Sequence, residues 1–388
     1  MTPEHRTPVT SGVLSHLRVL EFAGKGPVPF AAMVLADFGA DVVRVERVPL
    51  PEHHPDYRPE FDLLQRGRPA IGIDLRTEAG RALALDLAGR ADILIEGYRP
   101  GSMERLGLGP EPCLARNPKL VYGRATGWGQ DGPLASAAGH DINFLALSGV
   151  LAMLGRAGSP PTPPANLLAD FGGGGMLLLV GVLAAALSAA VTNQGQVVDA
   201  AMLDGGSLLA TLLHGLMAAG QWSGQRGTNL LDTGAPYYDV YATADGEWIA
   251  VGAVEPKFYR ALLVPLGLAG DELFADQADR SRWPAMRQRL TAIFATRTRD
   301  DLVRAFDGVD ACVTPVLDVR EAAGHPHNTA RGLFILADGV RRPSPAPRFS
   351  RTPAAVQGCQ DRGPLASWDL PRGQFAALTR QGVVVSAD

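Results

Sequence analysis

The sequence predicts an α/β protein in which a large domain, built on an open, mostly parallel, Rossmann-like sheet, is joined to a smaller α+β domain. Three observations predict this. Short apolar, β-branched runs alternate with helix-length stretches from Leu17 to Tyr122, the grammar of parallel βαβ units. A hairpin signature appears only later, after Pro236. The 388 residues exceed what one ordinary core organises, at about 150 residues per domain.

Leu17 to Phe22 reads as the first strand. Gly24, Gly26 and two prolines turn the chain, and the apolar residues of Phe30 to Phe38 fall at helical spacing. Gly39 ends that helix and Asp41 to Val45 supplies the second strand. Ala70–Leu75, Asp92–Ile95 and Leu120–Tyr122 continue as strands, with Thr77–Arg90 a helix between the first two. From Phe171 to Val198 no charge occurs, a length sufficient to span a membrane. Its glycine-rich start, the adjoining Asp170 and the lack of flanking Lys, Arg or aromatic residues instead predict a core helix, apolar all round, and no membrane partner.

Tyr237–Thr243 and Trp248–Val254 flank Ala244-Asp245-Gly246-Glu247, where Asp-Gly favours a tight primed turn. Lys257–Leu266 and Met286–Phe294 have helical spacing. From Arg341 the prolines at 343, 345, 347 and 353 predict an extended strap. The expected organisation is a large domain over 1–200, completed by a returning strap over 331–388, a helical linker over 201–235, and a small domain over 236–330.

Composition narrows the function. With 46% hydrophobic and 20% charged residues the chain is neither disordered nor fibrous. Its 36 Lys and Arg against 40 Asp and Glu leave a net charge of −4, without the strongly basic surface that nucleic acid selects. Cys113, Cys312 and Cys359 are too few and too scattered for a disulfide framework or a CxxC metal site. Met1–Ser15 lacks the apolar core of a secretory signal, so a reducing, cytoplasmic setting is expected. His53-His54 and His325-Pro326-His327 have no partners at ligand spacing, and no metal site is expected.

Gly24, Gly26 and Glu46 resemble part of a dinucleotide fingerprint, but the third glycine is missing and Pro27 and Pro29 remove N–H donors a phosphate cradle would use. A tight turn into a helix explains the same glycines. Arg44, Arg47, Arg66, Arg68, Arg76, Arg99, Arg105 and Arg124 gather near predicted strand ends, where open α/β sheets bind ligands and guanidinium forks suit phosphate. Gly139-His140-Asp141-Ile142-Asn143 reads as a helix start. A histidine there stays neutral and free N–H groups can meet an oxyanion; the plainer alternative is a capping Asp beside a packed His. Asp170, before Gly172 to Gly175, is either an N-cap or a partly desolvated base or nucleophile. Glu255, after the hairpin, is on its own an ordinary loop carboxylate.

The blocks Leu17–Gly24, Gly26-Pro27, Phe30–Met33, Ala40–Arg44, Leu94–Gly101, Thr126–Gln130, Gly139–Asn143, Asp170–Gly174 and Gly234–Tyr238 together resemble the family III CoA-transferases and, within them, the α-methylacyl-CoA racemase branch. The resemblance runs from about residue 13 to about 355. It implies interconversion of (2R)- and (2S)-2-methylacyl-CoA thioesters through an enolate, with His140 and Asp170 as the two bases. It also implies Glu255 as the carboxylate that orients the histidine, and the Asp141 backbone N–H as a donor to the thioester oxygen. Coenzyme A, part of the substrate, would meet Arg47, Ile73, Asp74, Leu75, Arg76, Gly97, Tyr98, Arg99, Arg105 and the stretch Gly139, His140, Asp141, Ile142, Asn143; no separate cofactor is implied. An interlocked homodimer is implied, with each site between the large domain of one chain and the small domain of the other. The alternative in the same family is a CoA-transferase with Asp170 as nucleophile. Lys25 and Val28 depart from the family's small residue and glycine at the first turn, which bears on acyl preference.

Overall fold

A computed structural model describes residues 12–49, 58–337, 339–356, 365, 367–371 and 373–386. His53, His54, Cys359 and most of the amino-terminal tail lie outside the described residues.

The chain divides into two compact units, one of Met1–Ser148, Pro164–Leu209 and Phe334–Asp388, the other of Gly149–Pro163 and Ala210–Leu333. In the first, β1 (Arg18–Phe22), α1 (Pro27–Asp37) and β2 (Asp41–Arg47) form the expected βαβ start, followed by β3 (Ala70–Ile73), α2 (Glu78–Ala88), β4 (Ile93–Glu96), α3 (Ser102–Arg105), α4 (Pro110–Arg116) and β5 (Val121–Thr126). Thr77 caps α2 by accepting the Gly80 N–H at 3.0 Å. After α5 (Asp141–Leu147) the chain passes through the second unit's short α6 (Val150–Met153) and returns as a π-helical segment, Leu167–Met176. That segment runs directly into α7 (Leu177–Thr192), then β6 (Val197–Ala201) and α8 (Met202–Leu209).

With β12 (Val384–Ser386) at one edge, the sheet has seven strands in the order β12-β3-β2-β1-β4-β5-β6. β1 to β6 are parallel, and β12 joins antiparallel to β3, with Val384 opposite Ile73. Alternate residues feed two cores. Val19, Val42, Ile93 and Val121 pack against α1 and α7, while Leu20, Val43, Leu94 and Tyr122 pack with α2 residues and Trp368. Strand order reverses between β1 and β4, so a crevice opens outside their carboxyl ends. The fold class is the expected one.

The region read as a strap holds more than extended chain: β10 (Phe334–Ala337) and β11 (Val340–Pro343) form a hairpin, and α15 (Gln374–Arg380) precedes β12. The apolar stretch Leu167–Thr192 is long and apolar enough to cross a membrane, yet it is not apolar-buried all round as expected. Leu178, Leu179, Val182 and Ala185 are buried, whereas Val180, Leu187 and Val191 are 57, 74 and 82% exposed, so one face packs on the sheet and the other faces outward.

In the second unit, α9 (Thr211–Ala218) precedes an antiparallel sheet of β7 (Tyr238–Ala242), β8 (Trp248–Gly252) and β9 (Val313–Pro315). Against it lie α10 (Pro256–Leu263), α11 (Trp283–Phe294) and α12 (Arg299–Ala305), around a core that includes Tyr237, Tyr241, Ile249, Leu262 and Phe294; α13 (Val319–Gly324) and α14 (Pro326–Ala330) follow. The hairpin is real, but its turn is not a two-residue primed one. Thr243 N–H donates to Glu247 O and only Gly246 has positive φ, at 79°, so three residues close the loop. Gly149–Pro163, expected in the large domain, belongs to this unit: Arg156 pairs with the buried Asp239 at 2.7 Å, and Arg226 donates to Ala152 O at 2.9 Å. The predicted linker divides likewise, α8 going to the first unit and α9 to the second.

Candidate active site

Polar residues gather where β1 to β5 end. Asp141 and His140 show the local logic first. His140 is the N-cap of α5, in extended conformation, and its backbone N–H donates to Asn143 Oδ1 at 3.0 Å. The alternative of a capping Asp beside a packed His is reversed: His140 is exposed, and Asp141 is 4% exposed. Phe144, one turn on, fixes the helix start. Its ring makes an edge contact with Trp128 at 4.8 Å and fills the space where Cβ atoms at Gly127 and Gly139 would stand, 2.3 and 2.7 Å from it.

Asp170 lies in the π-helical segment, not at an N-cap; Asn166 occupies that position. A π register widens the helix and places side chains where an α-helix would not. The glycines after Asp170 make the placement feasible. A Cβ at Gly173 would lie 2.7 Å from the Gly206 nitrogen, one at Gly174 2.9 Å from Pro27 Cβ, and one at Gly175 2.8 Å from the Phe30 ring, so the segment is pressed between α8 and the start of α1. Phe171 stacks on Phe30 at 4.8 Å. The Asp170 carboxylate then faces the turn after β1, with Oδ2 3.4 Å from where a Gly26 Cβ would sit, and Gly26 has φ of 68°.

Asp141 ties these two pieces together. Its Oδ2 accepts the N–H of Ala169 at 2.7 Å and of Asp170 at 2.8 Å. Burial, and next the Asp141 charge, push the Asp170 carboxyl above its ordinary value, opposed by a hydrogen bond from Asn166 and by His140. His140, Asp141 and Asp170 therefore form one electrostatic cluster.

The arginines sort into two groups. Arg68 is paired with Glu21 in full burial, Arg66 with Asp37, Arg44 with Glu46 at 3.0 Å, and Arg124 with Glu96 at 2.9 Å and Glu104 at 2.8 Å. These four serve the fold. Arg47, the last residue of β2, and Arg76, Arg99 and Arg105, which follow β3 and β4, are exposed on the carboxyl edge. Arg76 grips Asp74 through Nε and Nη2, both at 2.8 Å, holding that carboxyl down at about 2, and Arg105 donates to Ser102 at 3.1 Å. Ile73 is fully buried, between β2 and β12, and Leu75 packs against the core. Gly97 sits against Val28, where a Cβ would approach Cγ2 to 2.9 Å. Tyr98, half-buried, has its phenol pushed up to about 12, chiefly by burial. Ile142 is 42% exposed.

Glu255 belongs to the second unit, where it is the exposed N-cap of α10 and its carbonyl accepts the Tyr259 N–H at 2.9 Å. Among the described residues no three His, Cys, Asp or Glu side chains converge as a metal cluster. Residue-by-residue reasoning missed Asn166, Glu96 and Glu104. An acid closing an otherwise apolar strand was the one available signal, for Glu96.

A Rossmann-like sheet with exposed arginines along its carboxyl edge and a clustered imidazole and carboxylate nearby defines an α/β protein equipped for an anionic ligand and for proton transfer. The chain belongs to the CoA-transferase family III, whose family model matches residues 14–363. Over 351 residues it is 47% identical to the alpha-methylacyl-CoA racemase of Mus musculus, covering 90% of each chain. Identity to the alpha-methylacyl-CoA racemase of Homo sapiens is 46% over 342 residues, 88% of this chain and 87% of that one. The crystal structure of a CaiB/BaiF family protein from Brucella suis superposes with a TM-score of 0.77 at 26% identity, covering 96% of this chain and all of the other.

Proposed function

We propose that the chain is a racemase interconverting (2R)- and (2S)-2-methylacyl-CoA thioesters, acting in the cytoplasm without metal or redox cofactor. One observation carries this reading: two proton-accepting groups of different type, His140 and Asp170, are held in one cluster through Asp141, in a chain 46–47% identical to two racemases.

The α-proton of a thioester is a weak acid, so its removal needs a placed base and a donor for the enolate oxygen. His140 takes the α-proton of one epimer, leaving the electron pair delocalised onto the thioester oxygen. The Asp141 N–H, heading a helix and free of an intrahelical acceptor, meets that oxygen. Protonated Asp170 returns a proton to the opposite face, and the reverse direction exchanges the two roles. Arg47, Arg76, Arg99 and Arg105 receive the phosphates of coenzyme A, a role suited to exposed guanidinium groups. The partner subunit's Glu255 orients His140 in a homodimer, and the outward apolar face of α7 supplies surface for that assembly.

The test is ¹H NMR of purified protein with (2S)-2-methylacyl-CoA in deuterated buffer and no acceptor acid. Loss of the α-proton signal with appearance of the 2R epimer is expected. Absence of exchange, with CoA transfer once a free carboxylic acid is added, would overturn the reading and make Asp170 a nucleophile, as in the family's transferases.

A further inference from the structure

We infer that Asp141 is a positioning residue that acts through its side chain: its buried carboxylate fastens the π-helical segment to the start of α5, fixing the place of Asp170 and setting a second carboxylate beside it. The inference deepens the racemase reading and rests on it for its catalytic meaning, while its physical core can be read without turnover.

Three observations meet at this carboxylate. Oδ2 is doubly occupied by the N–H groups of Ala169 and Asp170, at 2.7 and 2.8 Å, so the backbone of one base is fixed by a residue adjoining the other. Oδ1 is buried and has no hydrogen-bond partner among the described residues. The residue is 4% exposed and, among the described residues, no arginine or lysine forms an ion pair with it, so its negative charge bears directly on Asp170. A carboxylate kept buried without a cation costs stability, and such costs persist where function needs them.

The surroundings of Asp170 leave few other groups to set its proton affinity. From α5 come Asp141 and His140, the first raising it and the second lowering it. Asn166, on its own segment, gives a hydrogen bond that lowers it. The start of α1 presents Gly26 and two prolines, with the exposed Lys25 before them. Asp204 of α8 acts on Asp199 of β6, and Arg124 of β5 is engaged by Glu96 and Glu104.

The chemical consequence follows from the two-base scheme. The enzyme must exist in two proton arrangements, imidazolium with carboxylate for one epimer and imidazole with carboxylic acid for the other. With ordinary side chains the second arrangement is rare, because a carboxyl holds its proton more weakly than an imidazole. Each tenfold gain in the proton affinity of Asp170 makes that arrangement about tenfold more common. Asp141 supplies this gain by charge and holds the geometry by hydrogen bonds.

The two contributions separate in two variants. Asp141→Asn keeps an oxygen for the Ala169 and Asp170 N–H groups and removes the charge; Asp141→Ala removes both. The carboxyl carbon of Asp170 is followed by ¹³C NMR in protein labelled at aspartate, assigned with Asp170→Asn and without substrate. The expected result is an Asp170 titration displaced to lower pH in Asp141→Asn, with a parallel displacement of the acid limb of the exchange rate. Asp141→Ala should lose exchange by a further factor of about ten. An unmoved Asp170 titration in a folded Asp141→Asn protein would overturn the inference. Should that variant not fold, the unaltered protein decides: an Asp170 titration displaced above the ordinary carboxyl range supports the inference, and a simple curve at the ordinary value overturns it. If the titration moves but no α-proton exchange occurs, the electrostatic inference stands and the racemase reading fails.

Discussion

Glu96, the last residue of β4, and Arg124, on β5, meet at 2.9 Å in a setting where both are almost wholly buried, and the other oxygen of Glu96 accepts the Tyr98 N–H at 2.7 Å. One carboxylate thus connects two strands to the loop that carries Arg99 and leads into α3, which ends in Arg105. In Glu96→Gln the amide must turn its NH2 toward one of two donors, Arg124 Nε or the Tyr98 N–H, and one bond is lost. KM for the acyl-CoA should rise by about tenfold, worth ~1.4 kcal/mol, with kcat changed far less. Steady-state kinetics checks this; a drop in kcat at unchanged KM would show that the loop does not serve binding.

Asp170 gives a prediction in which stability and activity part. Its carboxyl is raised by burial and by Asp141, so the folded state holds the proton more tightly than the unfolded chain. The sign is that of a penalty: fully present above the folded-state value, and gone once the pH falls below the unfolded value of about 3.9. Asp170→Asn should therefore abolish exchange yet raise the apparent Tm by about 1–3 °C at pH 8, and the gain should vanish on acidification toward pH 4. Thermal denaturation at several pH values reads it directly.

The glycines of α8 offer a steric test. A Cβ on Gly205 would stand 1.9 Å from the Gly173 carbonyl oxygen, far inside the contact distance of a non-bonded carbon and oxygen. Gly205→Ala must push the π-helical segment off α8, at a cost of about 1–3 kcal/mol or more. Exchange should fall at least tenfold in whatever protein folds. Gly215→Ala, on α9 with nothing within 4 Å of its Cβ, is the control and should leave stability within about 0.5 kcal/mol.

Subunit sharing of the site is open to a mixing experiment. His140→Ala and Glu255→Ala proteins should each be nearly inactive. Co-refolded in equal amounts they should regain about a quarter of normal exchange, since half the symmetric dimers would be hybrids carrying one intact site. Leu187→Glu on the outward face of α7, where Leu187 is 74% exposed, should shift the protein toward monomer in light scattering and lower exchange in proportion.

Much of the large unit was legible because its information is local. The runs that became β1, β2, β3 and β4 are short and mostly apolar, α1 opens on its own glycine and prolines, and α2 carries its own Thr77 cap. β6, β9 and β12 were not legible, since three to five residues with partners far along the chain leave no local signature. The π register of 167–176 was hidden for a related reason: it depends on what Gly173 and Gly174 touch on α8 and α1. The histidine and aspartate pair came into view only through ordered family blocks. Which arginines remain exposed could not be read at all, because the acids that claim Arg68 and Arg124 lie 47 and 28 residues away.

β12 seals the outer edge of β3, although Val384 and Ile73 are separated by the whole of the second unit. On a ribosome this imposes an order of events. The inserted unit emerges complete while the sheet that brackets it still has one naked margin, a template for mispairing with another nascent chain. Maturation of the larger unit thus waits on the tail, and removing residues 384–386 should leave a protein that is made but aggregates, with its inserted unit still folded.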